Sequence, residues 1–69
     1  MAKSMSELKL RRFRWGIPRR ELARTLNCSD SWLRQLESGA AQGPVAAREW
    51  RQRYEAALDR LIAEKKAAQ

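Results

Sequence analysis

Apolar residues along this chain fall into four sets at helical spacing, separated by three short breaks. Met5, Leu8 and Trp15 share one stripe with Arg12. Leu22, Ala23 and Leu26 share a second, and Leu33 and Leu36 a third with Glu37 beside them. Ala47, Trp50, Tyr54, Ala57 and Leu61 then recur at alternating three and four, with Leu58 and Ile62 alongside. The breaks are Gly16-Ile17-Pro18, Asn27-Cys28-Ser29 and the loop Gly39–Gly43. The pattern predicts an all-α fold, a small helix-turn-helix bundle of four helices with a long C-terminal helix.

Local chemistry sets the expected ends. Ser4 followed by Glu7 fits a capping box, so the first helix should run from Met5 to about Trp15. Gly16 supplies its exit, Ile17 tucks into the core, and Pro18 takes the first position of the second helix, where no N–H is missed. Asn27 accepts the left-handed backbone of a sharp exit. Ser29 caps a third helix over about Asp30 to Ser38, with Asp30 complementing the helix dipole. Pro44 opens the last helix, Val45 to about Lys66. Met1–Lys3 should fray, and the Glu64–Gln69 tail is expected to lack order. The half of the last helix through Trp50 and Tyr54 should close the core. Ala57, Leu58, Leu61 and Ile62 are then left as an apolar stripe with no evident cover, a candidate homodimer interface. The loop Gly39–Gly43 is the competing dimer contact.

Two short helices meeting at a tight corner between Arg20 and Gly39 make the pattern of a helix-turn-helix, whose second helix lies in the DNA major groove. With Leu33, Leu36 and Glu37 inward, Ser31, Gln35 and Ser38 fall on the opposite face, Arg34 lies at one edge and Asp30 projects from the N-terminal end. Asp30, Ser31, Arg34 and Gln35 are therefore the candidate base contacts. Gln35 can bridge N6 and N7 of adenine, and Arg34 can bridge O6 and N7 of guanine. Arg19, Arg20, Ser29, Ser38 and Gly39 are the candidate backbone contacts. Arg19 and Arg20 crowd a helix N-terminus, where positive charge is unfavourable unless an anion such as phosphate joins it. Lys9, Arg11 and Arg14 face outward, solvated or near phosphate. Trp32 could pack on a neighbouring helix, touch a thymine methyl or enter an interface.

Arg19-Arg20-Glu21-Leu22-Ala23, then Leu26-Asn27-Cys28-Ser29, then Leu33 and Leu36-Glu37-Ser38-Gly39 together resemble the Cro/repressor-type (Xre-like) helix-turn-helix domains. The resemblance covers roughly Leu8 to Leu58. It departs where Asn27 stands for the usual Gly, Pro18 for the usual Ser or Thr, and Arg19 for a frequent Gln. It implies a phosphate contact at Arg19. It also implies that Arg12, odd on an apolar face, pairs with Glu37 as a structural ion pair, which fixes geometry more than it adds net stability.

Composition narrows the function. Sixty-nine residues make a single domain, 1–69, with no room for a second domain or a large cleft. Fifteen Lys and Arg against eight acids give +7, which points to a polyanionic partner. The segment 1–28 carries eight bases and two acids, whereas 29–43 carries one base and two acids. A near-neutral recognition helix between basic flanks suits base reading at the centre with phosphate contacts around it. Cys28 is the single cysteine, so no internal disulfide can form; packing is the first reading and a reactive thiol the second. No His is present, and one Cys makes no zinc site, so neither metal nor cofactor is expected. The N-terminus has no long apolar run, so no membrane association is expected, and a cytoplasmic, nucleoid-associated location is the default.

These features lead to the expectation of a sequence-specific transcriptional regulator, a dimeric repressor of its own operon from a phage or other mobile element. It would bind double-stranded DNA at an inverted repeat, with no small-molecule effector. An architectural or recombination accessory DNA-binding protein, and a basic helical module that binds an acidic protein, are the alternatives. Enzymatic activity is not expected, since no converging carboxylate pair or histidine is available.

Overall fold

Capping chemistry at Ser4 starts the first helix, and its hydroxyl accepts from the Glu7 backbone N–H at 3.2 Å. In the computed structural model, which describes residues 4–38 and 44–68 (of 44–47 the backbone alone), four helices follow. They are α1 Met5–Arg14, α2 Arg19–Leu26, α3 Asp30–Glu37 and α4 Pro44–Ala67. Among the described residues there is no strand.

The first two corners are built alike. Gly16 has φ 64°, and the N–H groups of Gly16 and Ile17 donate to Phe13 and Arg12 carbonyls at 3.0 and 3.1 Å. Asn27 has φ 55°, and the N–H groups of Asn27 and Cys28 donate to Arg24 and Ala23 at 3.1 and 3.0 Å. Each is a left-handed helix exit that satisfies carbonyls otherwise left open. A Cβ at Gly16 would meet nothing within 4 Å, so glycine is favoured there by backbone angle rather than by space. The second corner is the three-residue turn of a helix-turn-helix, closed by Ser29, whose hydroxyl accepts from the Trp32 N–H at 3.1 Å.

One local expectation shifts. Pro18 stands outside α2 as its cap residue, with φ −65° and ψ 144°. Its carbonyl accepts from Glu21 and Leu22, so proline starts the helix from the position before the first turn.

The core is a continuous set of Leu8, Ile17, Leu22, Ala23, Leu33, Leu36, Tyr54, Ala57, Leu58, Leu61 and Ile62. Two expectations about α4 are overturned here. The stripe Ala57, Leu58, Leu61 and Ile62 is not exposed; Leu58 is 0% and Ile62 3% accessible, and all four lie within the chain's own core. They are covered because α4 runs back across α1 and α2, packing on both. The dimer contact assigned to them is therefore excluded in the folded chain. The helix ends within a residue of the expected Lys66, so it is the expected lack of order from Glu64 onward that is overturned. Helix continues through Ala67, and Ala68 N–H still donates to the Glu64 carbonyl at 3.1 Å. Lys66, at 5.5 Å from the Trp15 ring, and the Arg11–Asp59 ion pair fasten this half of α4 to α1.

The expectations for Met1–Lys3, the loop Gly39–Gly43 with its Gly39 contact, the Ala47 side chain and Gln69 lie outside the described residues.

Candidate nucleic-acid interface

The orientation of α3 is fixed from below by a buried polar cluster. Arg12 and Glu37 are 4% and 9% accessible, with Arg12 Nε 2.9 Å from Glu37 Oε2 and Nη2 3.1 Å from Oε1. This is the two-pronged pairing that a guanidinium makes with a carboxylate, and it defines both position and plane. Arg12 Nη1 donates to the Ile17 carbonyl at 2.9 Å, so the corner after α1 is tied into the same cluster. The structural pair inferred from sequence is thus present, and Tyr54 from α4 completes it. Its hydroxyl donates to Glu37 and accepts from Arg12 Nε at 3.1 Å. Burial, and then the hydrogen bond to Glu37, push the Tyr54 hydroxyl well above its ordinary range, so it stays a neutral donor. The Phe13 ring lies 4.7 Å from the Arg12 guanidinium and covers it from outside.

With Leu33, Leu36 and Glu37 buried, the other side of α3 faces water. Asp30, Ser31, Arg34, Gln35 and Ser38 are all exposed, as their spacing predicts. Gln35 and Arg34 make no side-chain hydrogen bond among the described residues, so their donors and acceptors are free to engage a partner. The Ser38 hydroxyl donates to the Gln35 carbonyl at 2.9 Å and closes the end of α3. Ser29 uses its hydroxyl oxygen as the helix cap, leaving the hydroxyl hydrogen available.

Arg19 and Asp30 have a partner that their spacing does not reveal. From sequence, Arg19 is assigned to phosphate and Asp30 to a base; the fold joins them to each other. Arg19 Nε and Nη2 donate to the two Asp30 carboxylate oxygens at 3.1 and 3.3 Å. Arg19 Nη1 also stands 3.8 Å from Glu37 Oε1. The strain of a cation at the start of α2 is thus relieved by a carboxylate at the start of α3, with no phosphate required. The hydrogen bond from Arg19 holds the Asp30 carboxyl below its ordinary value of 3.8, and the same bond raises the Arg19 value.

Arg20 is exposed and makes no ion pair among the described residues. With Pro18, Glu21 and Arg24 it lines an open depression beside the start of α2. Arg24 is a cation that sequence reasoning did not single out. The signal was present, because residues four apart on a helix stack on one face. The other missed group is the Tyr54 hydroxyl, which spacing marks only as a core position.

Trp32 packs, and its partner is Trp50, with ring centres 5.5 Å apart at 71°. Its indole Nε1 is buried without a hydrogen-bond partner among the described residues. Cys28 packs against the core, and burial raises its thiol above the ordinary value. The contact with the core agrees with packing, the first reading.

Among the described residues no helix is long and apolar enough to cross a membrane. No protein-family model, curated protein or solved structure matches the chain.

Proposed function

We propose that this chain is a sequence-specific DNA-binding protein that places α3 in the major groove, and that it acts as a dimeric transcriptional repressor at a short inverted repeat. The observation that carries the proposal is the division of α3 into two sides. Leu33 and Leu36 are buried in the core and Glu37 is bonded to Arg12 and Tyr54, while Ser31, Arg34 and Gln35 are exposed. A recognition helix needs this combination, because reading base edges demands side chains whose backbone does not shift by even an ångström.

The surrounding charge favours the same partner. Arg20 in the first turn of α2 and Arg24 in its last turn have no carboxylate to hold them among the described ion pairs, and the whole chain carries +7. Cations around a nearly neutral helix divide the work into phosphate attraction and base reading. Two copies on a twofold axis would present two such helices about one DNA turn apart, about 34 Å.

Selection of binding sites from random duplexes, followed by footprinting, tests this. Enrichment of a palindrome with a half-site on each side is the expected result. Enrichment of nothing at low salt would transfer the basic face to an acidic protein partner. A selected site that is bent on binding without palindromic symmetry would point to an architectural role.

A further inference from the structure

Leu10 and Phe13 are the two large apolar side chains left exposed among the described residues, 61% and 59% accessible. They stand three apart on α1, on the side turned away from buried Leu8 and Arg12. Phe13 has a partial structural explanation, since its ring covers the Arg12 guanidinium. Leu10 has none. It lines an open depression with Glu7, Arg11 and Arg14.

Charge placement around this pair of residues selects the occupant. If Leu10 and Phe13 are taken as the a and d positions of a heptad, Glu7 and Arg14 both fall at e, on one flank, and Lys9 and Gly16 fall at g, on the other. In an antiparallel pair of identical helices, e meets e and g meets g. A second copy of α1 related by a twofold axis would therefore set Leu10 against Phe13 of the other copy. Glu7 would face Arg14 and Arg14 would face Glu7, giving two ion pairs. On the other flank Lys9 would meet Gly16, with no like-charge clash. Self-complementarity of this kind is what a twofold interface requires. An acidic partner would meet counter-charges at Lys9 and Arg14 but set like charge against Glu7, whereas a second copy pairs both Glu7 and Arg14.

We infer that α1 is the self-association face of this protein: two copies pair antiparallel through Leu10 and Phe13, flanked by reciprocal Glu7–Arg14 ion pairs. Helices of ten residues bury less than the roughly 1,200–2,000 Å² of stable interfaces, so the pair is weak in free solution. Two chains of +7 also repel each other until a polyanion neutralises them. Its role rests on the DNA-binding proposal: DNA that holds two copies side by side raises the effective concentration to the millimolar range, where a weak contact becomes cooperative binding.

The test has two arms, and the first needs no DNA. Amide NMR spectra are followed from tens of micromolar to millimolar protein at roughly 0.15 M salt, where the Debye length is about 8 Å. Concentration-dependent shifts should centre on Glu7, Leu10, Phe13 and Arg14 in the natural chain and vanish in Leu10→Glu. Leu10 is chosen because Phe13 also covers Arg12. Absence of such shifts at any concentration, or their persistence in Leu10→Glu, overturns the inference. The second arm measures cooperativity on the selected palindrome, with single half-sites as the control for DNA affinity. Glu7→Arg and Arg14→Glu should each abolish cooperativity, and the double exchange should restore it. Full cooperativity in both single variants, or none in the double, overturns the pairing geometry. A chain that pairs in the first arm but binds no duplex would remove the DNA role and leave the interface standing.

Discussion

Arg19 and Asp30 lock the starts of α2 and α3 together through two hydrogen bonds, 3.1 and 3.3 Å long. The contact spans the helix-turn-helix corner on its exposed side, whereas Arg12, Glu37 and Tyr54 fasten the far end of α3 to α1 and α4 from the buried side. A residue that would otherwise be a free cation beside the proposed DNA face is thereby neutralised.

That neutralisation sets the first prediction. Asp30→Asn should release Arg19 and strengthen binding to all duplexes alike, steepening the dependence of log K on log salt by about one unit. Arg19→Ala in the Asp30→Asn background should remove the gain. An unchanged slope in Asp30→Asn would place the pair away from phosphate.

The same contact has a pH signature. The Asp30 carboxyl titrates below its ordinary 3.8 because Arg19 donates to it. A depressed folded value means that the pair stabilises the fold above pH about 4 and that this contribution is lost as pH falls through the folded value. Carboxyl-detected NMR should find a midpoint below 3.8 in the natural chain, moving back up in Arg19→Ala. Equal midpoints in the two chains would show that the bond does not persist in solution.

Base reading is tested at Gln35. Gln35→Ala should cost roughly 1–3 kcal/mol on the selected site and little on random duplex. Equal losses on both would move Gln35 to the phosphate-contacting residues.

Energetics of the buried cluster can be separated by residue. Glu37→Ala leaves Arg12 buried and unpaired, and should destabilise the fold by roughly 3–5 kcal/mol in denaturant unfolding. Tyr54→Phe removes the hydroxyl's two hydrogen bonds, to Glu37 and from Arg12, but leaves the ion pair, and should cost less, roughly 1.5–3 kcal/mol. Replacing Arg12 and Glu37 together by apolar residues should recover much of the Glu37→Ala loss. A Tyr54→Phe cost as large as that of Glu37→Ala would show that the hydroxyl, rather than the ion pair, holds the cluster.

The corrected role of α4 makes a distinct forecast. Leu58 is fully inaccessible, so Leu58→Ala should cost roughly 2–5 kcal/mol, the range for a buried leucine that leaves a cavity. Leu61→Glu should unfold the chain by circular dichroism rather than yield a folded monomer. A well-folded Leu61→Glu protein would return the stripe to the surface.

Spacing and capping alone determined the four helices, the two left-handed corners at Gly16 and Asn27, and the side of α3 that faces outward. These are decided within a turn or two of helix, by which residues can cap, which tolerate positive φ and which recur at 3.6, so they are legible one segment at a time. The Arg12–Glu37 pair was legible through the resemblance, because a charge on an apolar stripe needs an opposite charge somewhere. What only the tertiary structure decided were the partners of groups that spacing treats alike. Arg19 looked like a free cation until the turn brought Asp30 beside it, and Tyr54 looked like any core aromatic until α4 carried its hydroxyl to Glu37. Ala57, Leu58, Leu61 and Ile62 looked uncovered because the distance that α4 travels back over α1 and α2 is written in no local pattern. An apolar stripe states that it will be buried; which surface buries it depends on how the helices cross, and that is settled by packing among segments more than forty residues apart, as Arg11 and Asp59 are.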